Sequence, residues 1–200
     1  LKVGPGFTLV ELLVTIAVMS ILAVAAAPGL QGFVADGRLS SASVSLRSAI
    51  ELARSEAMTS GRRAAVCRSA NPTDAAPRCS DSTVGNRGAT DWGTGWIVYV
   101  KGDPDTTDAF APGDRLVRRD GPFGTAENAS RTAIWAPATG PLVFGWNGVR
   151  AAGPVGMFAF DFGPPLVERP TPLRWRSPRC LQVNAVGRID VQTPNARVCT

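Results

Sequence analysis

Four cysteines and one oddly placed carboxylate are the residues through which this chain could do chemistry, because it contains no histidine. Without imidazole it lacks the usual general base near neutral pH and the commonest metal ligand. Cys67, Cys79, Cys180 and Cys199 form no C-x-x-C pair, so a zinc site of the usual spacing is not expected. An even cysteine count fits disulfides in an oxidising compartment. Of the three possible pairings, Cys67–Cys79 with Cys180–Cys199 is expected, because each closes a short local loop; four buried free thiols are the alternative. No G-x-S-x-G or phosphate-loop pattern organises a nucleophile, and nothing pairs the scattered acids Asp161 and Glu168. Neither an enzyme nor a cofactor site is expected. Asp103, Asp105 and Asp108 in the polar stretch 101–113 could hold calcium, but the calcium-loop spacing and its distal glutamate are missing. A solvated loop is the expectation there.

The carboxylate is Glu11. It interrupts residues 7–27, FTLVELLVTIAVMSILAVAAA, in which 17 of 21 residues are apolar. Twenty-one helical residues reach about 31 Å, near the roughly 30 Å of a bilayer core, which predicts a membrane helix. A cleaved secretory signal is the competing reading: Ala25-Ala26-Ala27 offers small residues, but the apolar run exceeds the usual ~7–15. An ionisable group in lipid costs about 2.5–3.5 kcal/mol on insertion scales, so Glu11 calls for a partner or a place near the water surface. Residue 7 lies one helical turn away on the same face. Cutting the chain before Phe7 would create an amine at that depth, on this subunit and on its neighbours.

The string Gly6-Phe7-Thr8-Leu9-Val10-Glu11 resembles the prepilin peptidase site of type IV pilins and type II secretion pseudopilins. The resemblance implies cleavage after Gly6, N-methylation of Phe7, and a registry role for Glu11 in the growing filament. Pro28 falls where such pilins often carry a helix-kinking proline. The leader, LKVGPG, has a single lysine, and its true start could lie upstream.

The elements that would carry these residues follow from periodicity. Leu39, Ala42, Leu46, Ala49, Ile50, Ala53 and Ala57 recur at spacings of three and four, one stripe of a helix. Arg38, Ser41, Ser45, Arg47, Glu51, Arg54 and Ser55 form the other face. One long helix from about residue 7 to 59 is expected, with two helices broken at 28–37 as the alternative. Behind Gly61, 21 glycines and 16 prolines in 200 residues signal many turns. Candidate strands are 64–67, 96–101, 116–119, 132–135, 142–144, 157–161, 173–175, 180–184 and 188–191, with Asn147-Gly148 as a hairpin turn.

Further along, Arg54-Ser55-Glu56-Ala57, Val66-Cys67-Arg68-Ser69, Cys79-Ser80 and Trp92-Gly93-Thr94-Gly95-Trp96-Ile97-Val98-Tyr99 resemble the GspH/FimT group of minor pseudopilins and minor pilins. Trp92 and Trp96 are expected to pack in the core. The resemblance implies an α+β, type IV pilin-like fold, a long N-terminal transmembrane helix packed on a C-terminal antiparallel β-sheet head. The expected divisions are a leader (1–6), a transmembrane and assembly helix (7–28), its amphipathic continuation (29–60) and a periplasmic β-rich head (61–200). Implied partners are other pilins or pseudopilins, prepilin peptidase and an inner-membrane assembly platform. The implied location is the inner membrane, single-pass, until assembly into a type II secretion pseudopilus or type IV pilus.

Net charge is +5, and residues 169–200 alone hold six arginines against Asp190. Some FimT-like pilins bind DNA through a basic C-terminal region. Here Arg174, Trp175, Arg176, Arg179 and Arg188 could contact DNA, by phosphate pairing and one stacking ring. Solvated surface arginines are the expectation.

Overall fold

Thr8 starts the first helix: its Oγ1 accepts the backbone N–H of Glu11 at 3.2 Å, and its carbonyl accepts that of Leu12 at 3.2 Å. A threonine followed three residues later by glutamate is a capping pattern, and it satisfies donors that the first turn would otherwise leave open. From there α1 runs Leu9–Ser60 as one element through Pro28. The computed structural model describes residues 8–84, 87–102, 108–123, 132–162 and 179–192; side chains at 24–32, 35, 161 and 162 fall outside that description. Two compact units divide the chain, Leu1–Gly37 and Arg38–Thr200.

In the first unit the described side chains of α1 are exposed. Among the described residues no helix is long and apolar enough to cross a membrane. Polar Glu11, Thr15 and Ser20 interrupt the described apolar side chains of α1. This corrects the transmembrane helix expected over 7–28, and with it the single-pass inner-membrane location and periplasmic head.

In the second unit every member of the predicted stripe, Leu39, Ala42, Leu46, Ala49, Ile50, Ala53 and Ala57, is buried. The stripe packs into one core with residues from two antiparallel sheets. The first sheet has the order β3(Arg115–Asp120), β2(Trp96–Val100), β1(Ala64–Arg68), β5(Leu142–Phe144), β6(Arg150–Ala152). The second has the order β4(Thr132–Trp135), β7(Gly156–Phe162), β8(Arg179–Val183), β9(Ile189–Gln192). The class is thus α+β with a helix on antiparallel strands, but the strands split into two sheets where one was expected. The candidate strand at 173–175 lies outside the described residues.

Side-chain alternation explains the first sheet. Ala64, Val66, Trp96, Val98 and Val100 face the helix, while Ala65, Cys67, Ile97, Tyr99 and Val143 form a second apolar cluster. Phe110 and Leu116 pack against that second cluster. Both faces of β1 and β2 are therefore covered, which is why these strands read as unbroken apolar runs. Trp92 and Trp96 sit in the main core. Trp92 meets Phe158 edge-on at 5.4 Å, and Trp96 stacks on Phe123 at 4.6 Å.

Candidate assembly site

Glu11 occupies the third position of α1, with its backbone N–H held by the Thr8 hydroxyl and its side chain exposed. A carboxylate in the first turn is favoured by the partial positive charge of the open N–H groups there. Among the described residues no cation pairs with it. Around it Leu9, Val10, Leu12, Leu13, Val14 and Ile16 are all more than half exposed. Apolar side chains on every face of a helix are what a helix looks like when its partners are other molecules. Gly6 and Phe7, to which cleavage and methylation fall, lie outside the described residues; Pro28 lies within α1, its side chain outside the description.

The second half of α1 is fixed to β3 by a polar latch. Asp120, at the end of β3, accepts from Trp96 Nε1 (3.1 Å), Ser45 Oγ (3.0 Å) and Arg118, whose Nε lies 2.8 Å away. Arg118 also donates to Ser48 Oγ at 2.8 Å. Ser45, read from sequence as part of the solvent face, is thus drawn into the helix–sheet contact. Sequence spacing carries no sign of this, because Ser45 and Asp120 are 75 positions apart.

Two loops over the outer face of the first sheet are pinned by disulfide and charge. Cys67 and Cys79 are joined, with an S–S distance of 2.00 Å across a sequence separation of 12. Cys180 is disulfide-bonded, and Cys199 lies outside the described residues. Next to the first bridge, the buried Arg68 guanidinium donates to the carbonyls of Asp91 (2.6 Å), Ser80 (3.0 Å) and Ser82 (2.9 Å). Burial lowers its pKa, with nearby Asp91 opposing. Arg87 pairs with Asp91 at 2.8 Å, also buried.

Described acids in and beside the aspartate loop are engaged in charge pairs. Asp108 pairs with Arg63 at 2.6 Å, its backbone carbonyl accepts the Tyr99 hydroxyl, and Asp103 and Asp105 lie outside the described residues. Buried Lys101 donates to Asp114 Oδ2 at 2.7 Å and to the Ala109 carbonyl at 3.0 Å. Burial works against the Asp114 charge, but hydrogen bonds from Lys101, Gly102 N–H and Ala111 N–H outweigh it and hold the carboxyl below its ordinary range. Burial pushes the Tyr99 hydroxyl pKa up. Among the described residues no three acidic, cysteine or histidine side chains gather as a metal site.

The candidate DNA contacts are not brought together as a described surface. Arg174, Trp175 and Arg176 lie outside the described residues; Arg179 is half-buried and has a partner, and Arg188 is exposed beside the β8–β9 turn.

Comparison with known proteins adds the following. The family described as type II transport protein GspH matches residues 42–187, and the prokaryotic N-terminal methylation motif matches residues 5–27. Among solved structures, the Pseudomonas aeruginosa type IV minor pilin FimU is similar at 19% identity, covering 81% of this chain and 96% of that one, with a TM-score of 0.49. Comparison with curated proteins gave no match. Since the first match takes in α1 from Ala42, the disulfide loop and β1 to β8, well over half of the chain, the chain belongs to the GspH family of minor pseudopilins and minor pilins, non-catalytic structural subunits of pilus-like assemblies.

Proposed function

We propose that this chain is cut after Gly6, N-methylated at Phe7, and built into a type II secretion pseudopilus or a type IV pilus near its tip. Residues 1–6 act as leader, 7–28 as assembly helix, 29–60 as the amphipathic segment that carries the head, and 61–200 as the head itself. The observation that carries this reading is Glu11: an exposed carboxylate on a capped first turn, inside the matched methylation motif and among exposed apolar side chains. In a packed bundle of such helices, water is excluded and the carboxylate needs a cation within hydrogen-bond reach. The Phe7 amine of a neighbouring subunit supplies it, and because charge pairing falls away sharply with distance, it selects one axial stagger. Partners under this reading are other pilins or pseudopilins, prepilin peptidase and the assembly platform.

The test combines processing with incorporation. Mass spectrometry of the protein from its native host should find a mature chain starting at methylated Phe7. Glu11→Ala should still be processed but should fall out of sheared filaments. Full incorporation of that variant would remove the registry role. Deleting the gene separates the two machines: lost secretion marks a pseudopilus, lost twitching a pilus.

A further inference from the structure

Two turns with the same hydrogen-bond pattern lie side by side in the head. In the β5–β6 turn, Gly145 N–H donates to the Val149 carbonyl and Gly148 N–H to the Gly145 carbonyl. In the β8–β9 turn, Asn184 N–H donates to the Arg188 carbonyl and Gly187 N–H to the Asn184 carbonyl. Each closes on a glycine of positive φ, 72° at Gly148 and 81° at Gly187, the geometry of a hairpin ending in a G1 bulge. Side chains stiffen both: Asn147 Oδ1 accepts from Val149 N–H, and Asn184 Oδ1 accepts from Val186 and Arg188 N–H.

The turns are wedged together although they belong to different sheets. Arg150 Nε donates to the Ala185 carbonyl at 3.3 Å, and Gly187 packs so closely on the Phe144 ring that an added Cβ would sit 2.5 Å from it. On the other side Gly148 abuts the end of α1, where a Cβ would meet Met58 Sδ at 2.6 Å. This rigid corner displays Trp146 at 69% exposure, with Val186 at 57%, Met58 at 51% and Val149 also exposed.

We propose that this corner is a docking surface for the head of a neighbouring pilin-like subunit that presents carboxylates around an apolar site. Tryptophan, methionine and arginine are the residues enriched in protein interfaces, and an exposed apolar patch with a polar rim marks such a site. The rim carries Arg54, Arg150 and Arg188; residues 142–155 and 183–189 contain no acid, and of the flanking acids Glu51 is paired with Arg47 and Asp190 also acts on Arg47. A complementary partner therefore carries Asp or Glu. Nucleic acid fits less well, because Val149, Val186 and Met58 offer aliphatic surface that a phosphate backbone cannot use. Preformed turns lose little conformational freedom on docking, which favours binding through them. The inference deepens the filament reading above and rests on it.

A photo-reactive amino acid placed at Trp146 of the full chain, in its native host, tests this, with the same residue at exposed Arg78 as control. The expected result is an adduct at 146, absent at 78, with a second pilin-like subunit whose cross-linked peptide contains Asp or Glu. Trp146→Ala should melt like the wild type yet bind that subunit tenfold or more weaker. Arg188→Glu should lose the adduct, and reversing the partner's carboxylate to Lys should restore it. No adduct, an adduct with nucleic acid, or a partner peptide without an acid overturns the proposal. If the probe at 146 fails while the wild-type chain still enters filaments through Glu11, docking falls and the filament reading stands. If the chain never enters filaments, both fall.

Discussion

At the scale of single residues, the head depends on charges placed where water cannot reach them. Asp120 gathers donors from Trp96, Ser45 and Arg118, so Asp120→Ala removes an acceptor shared by three donors and leaves the Trp96 indole N–H without one, while Arg118 keeps Ser48 and Ser45. Loss of about 1–3 kcal/mol is expected in denaturant unfolding, chiefly from the buried indole N–H left without an acceptor. Lys101→Met should cost about 3–5 kcal/mol, because it leaves the Asp114 carboxylate buried without its ammonium. Asp114 also sets an acid limit. Its pKa is lowered in the folded state, so its contribution is complete above the ordinary carboxylate pKa and is lost as pH falls through the lowered value. Melting temperature should therefore drop on acidification, and Asp114→Asn should flatten that dependence while lowering stability at neutral pH. None of these pairings was legible in sequence. Each joins side chains from separate segments, and the aspartates of 101–113 read as a solvated loop with no sign of Lys101 or Arg63 as partners.

At the scale of elements, periodicity was the dependable signal. The apolar stripe from Leu39 to Ala57 was readable because a helix repeats within a few residues, and every one of its seven positions is buried. Leu46→Ala should cost about 2–5 kcal/mol, since Leu46 is wholly enclosed between α1 and the sheets. Strand positions were legible from apolar runs between turn residues, and Asn147-Gly148 does close a hairpin. Its second strand, β6, was missed: Arg-Ala-Ala has neither alternation nor β-branched residues, and it is a strand only because β5 lies beside it. The loop between β1 and β2 is held twice, by the Cys67–Cys79 bridge and by Arg68. Cys79→Ser should cost at most about 3 kcal/mol for a loop of this size, and less than the chain-entropy value because Arg68 still ties down Ser80 and Ser82.

At the scale of the whole molecule, the two compact units predict separate behaviour. Among the described residues the first buried core member is Leu39, one position past the boundary, so the core lies within Arg38–Thr200. A chain beginning at Arg38 should fold, keep its Cys67–Cys79 bridge and melt cooperatively; a molten or aggregated product would show that the first unit is needed for folding. The first unit has no such core of its own among its described residues, and its apolar side chains stand open. Its contribution should therefore appear in assembly rather than in head stability, and Thr8→Ala should speed exchange of the Glu11 amide, costing about 1 kcal/mol locally with no change in head melting.

Sequence by itself determined what is local: a helix with one carboxylate near its start, an amphipathic stripe, a cysteine pair close in the chain, and strands marked off by glycine and proline. Tertiary structure alone decided what is distant: the split into two sheets, the Asp120 latch, the buried Lys101–Asp114 pair and the corner where the β5–β6 turn meets the β8–β9 turn and the end of α1. The physical reason is range. Backbone preference and side-chain periodicity act over a few residues, whereas burial and charge pairing depend on which remote segments the folded core brings within a few ångströms.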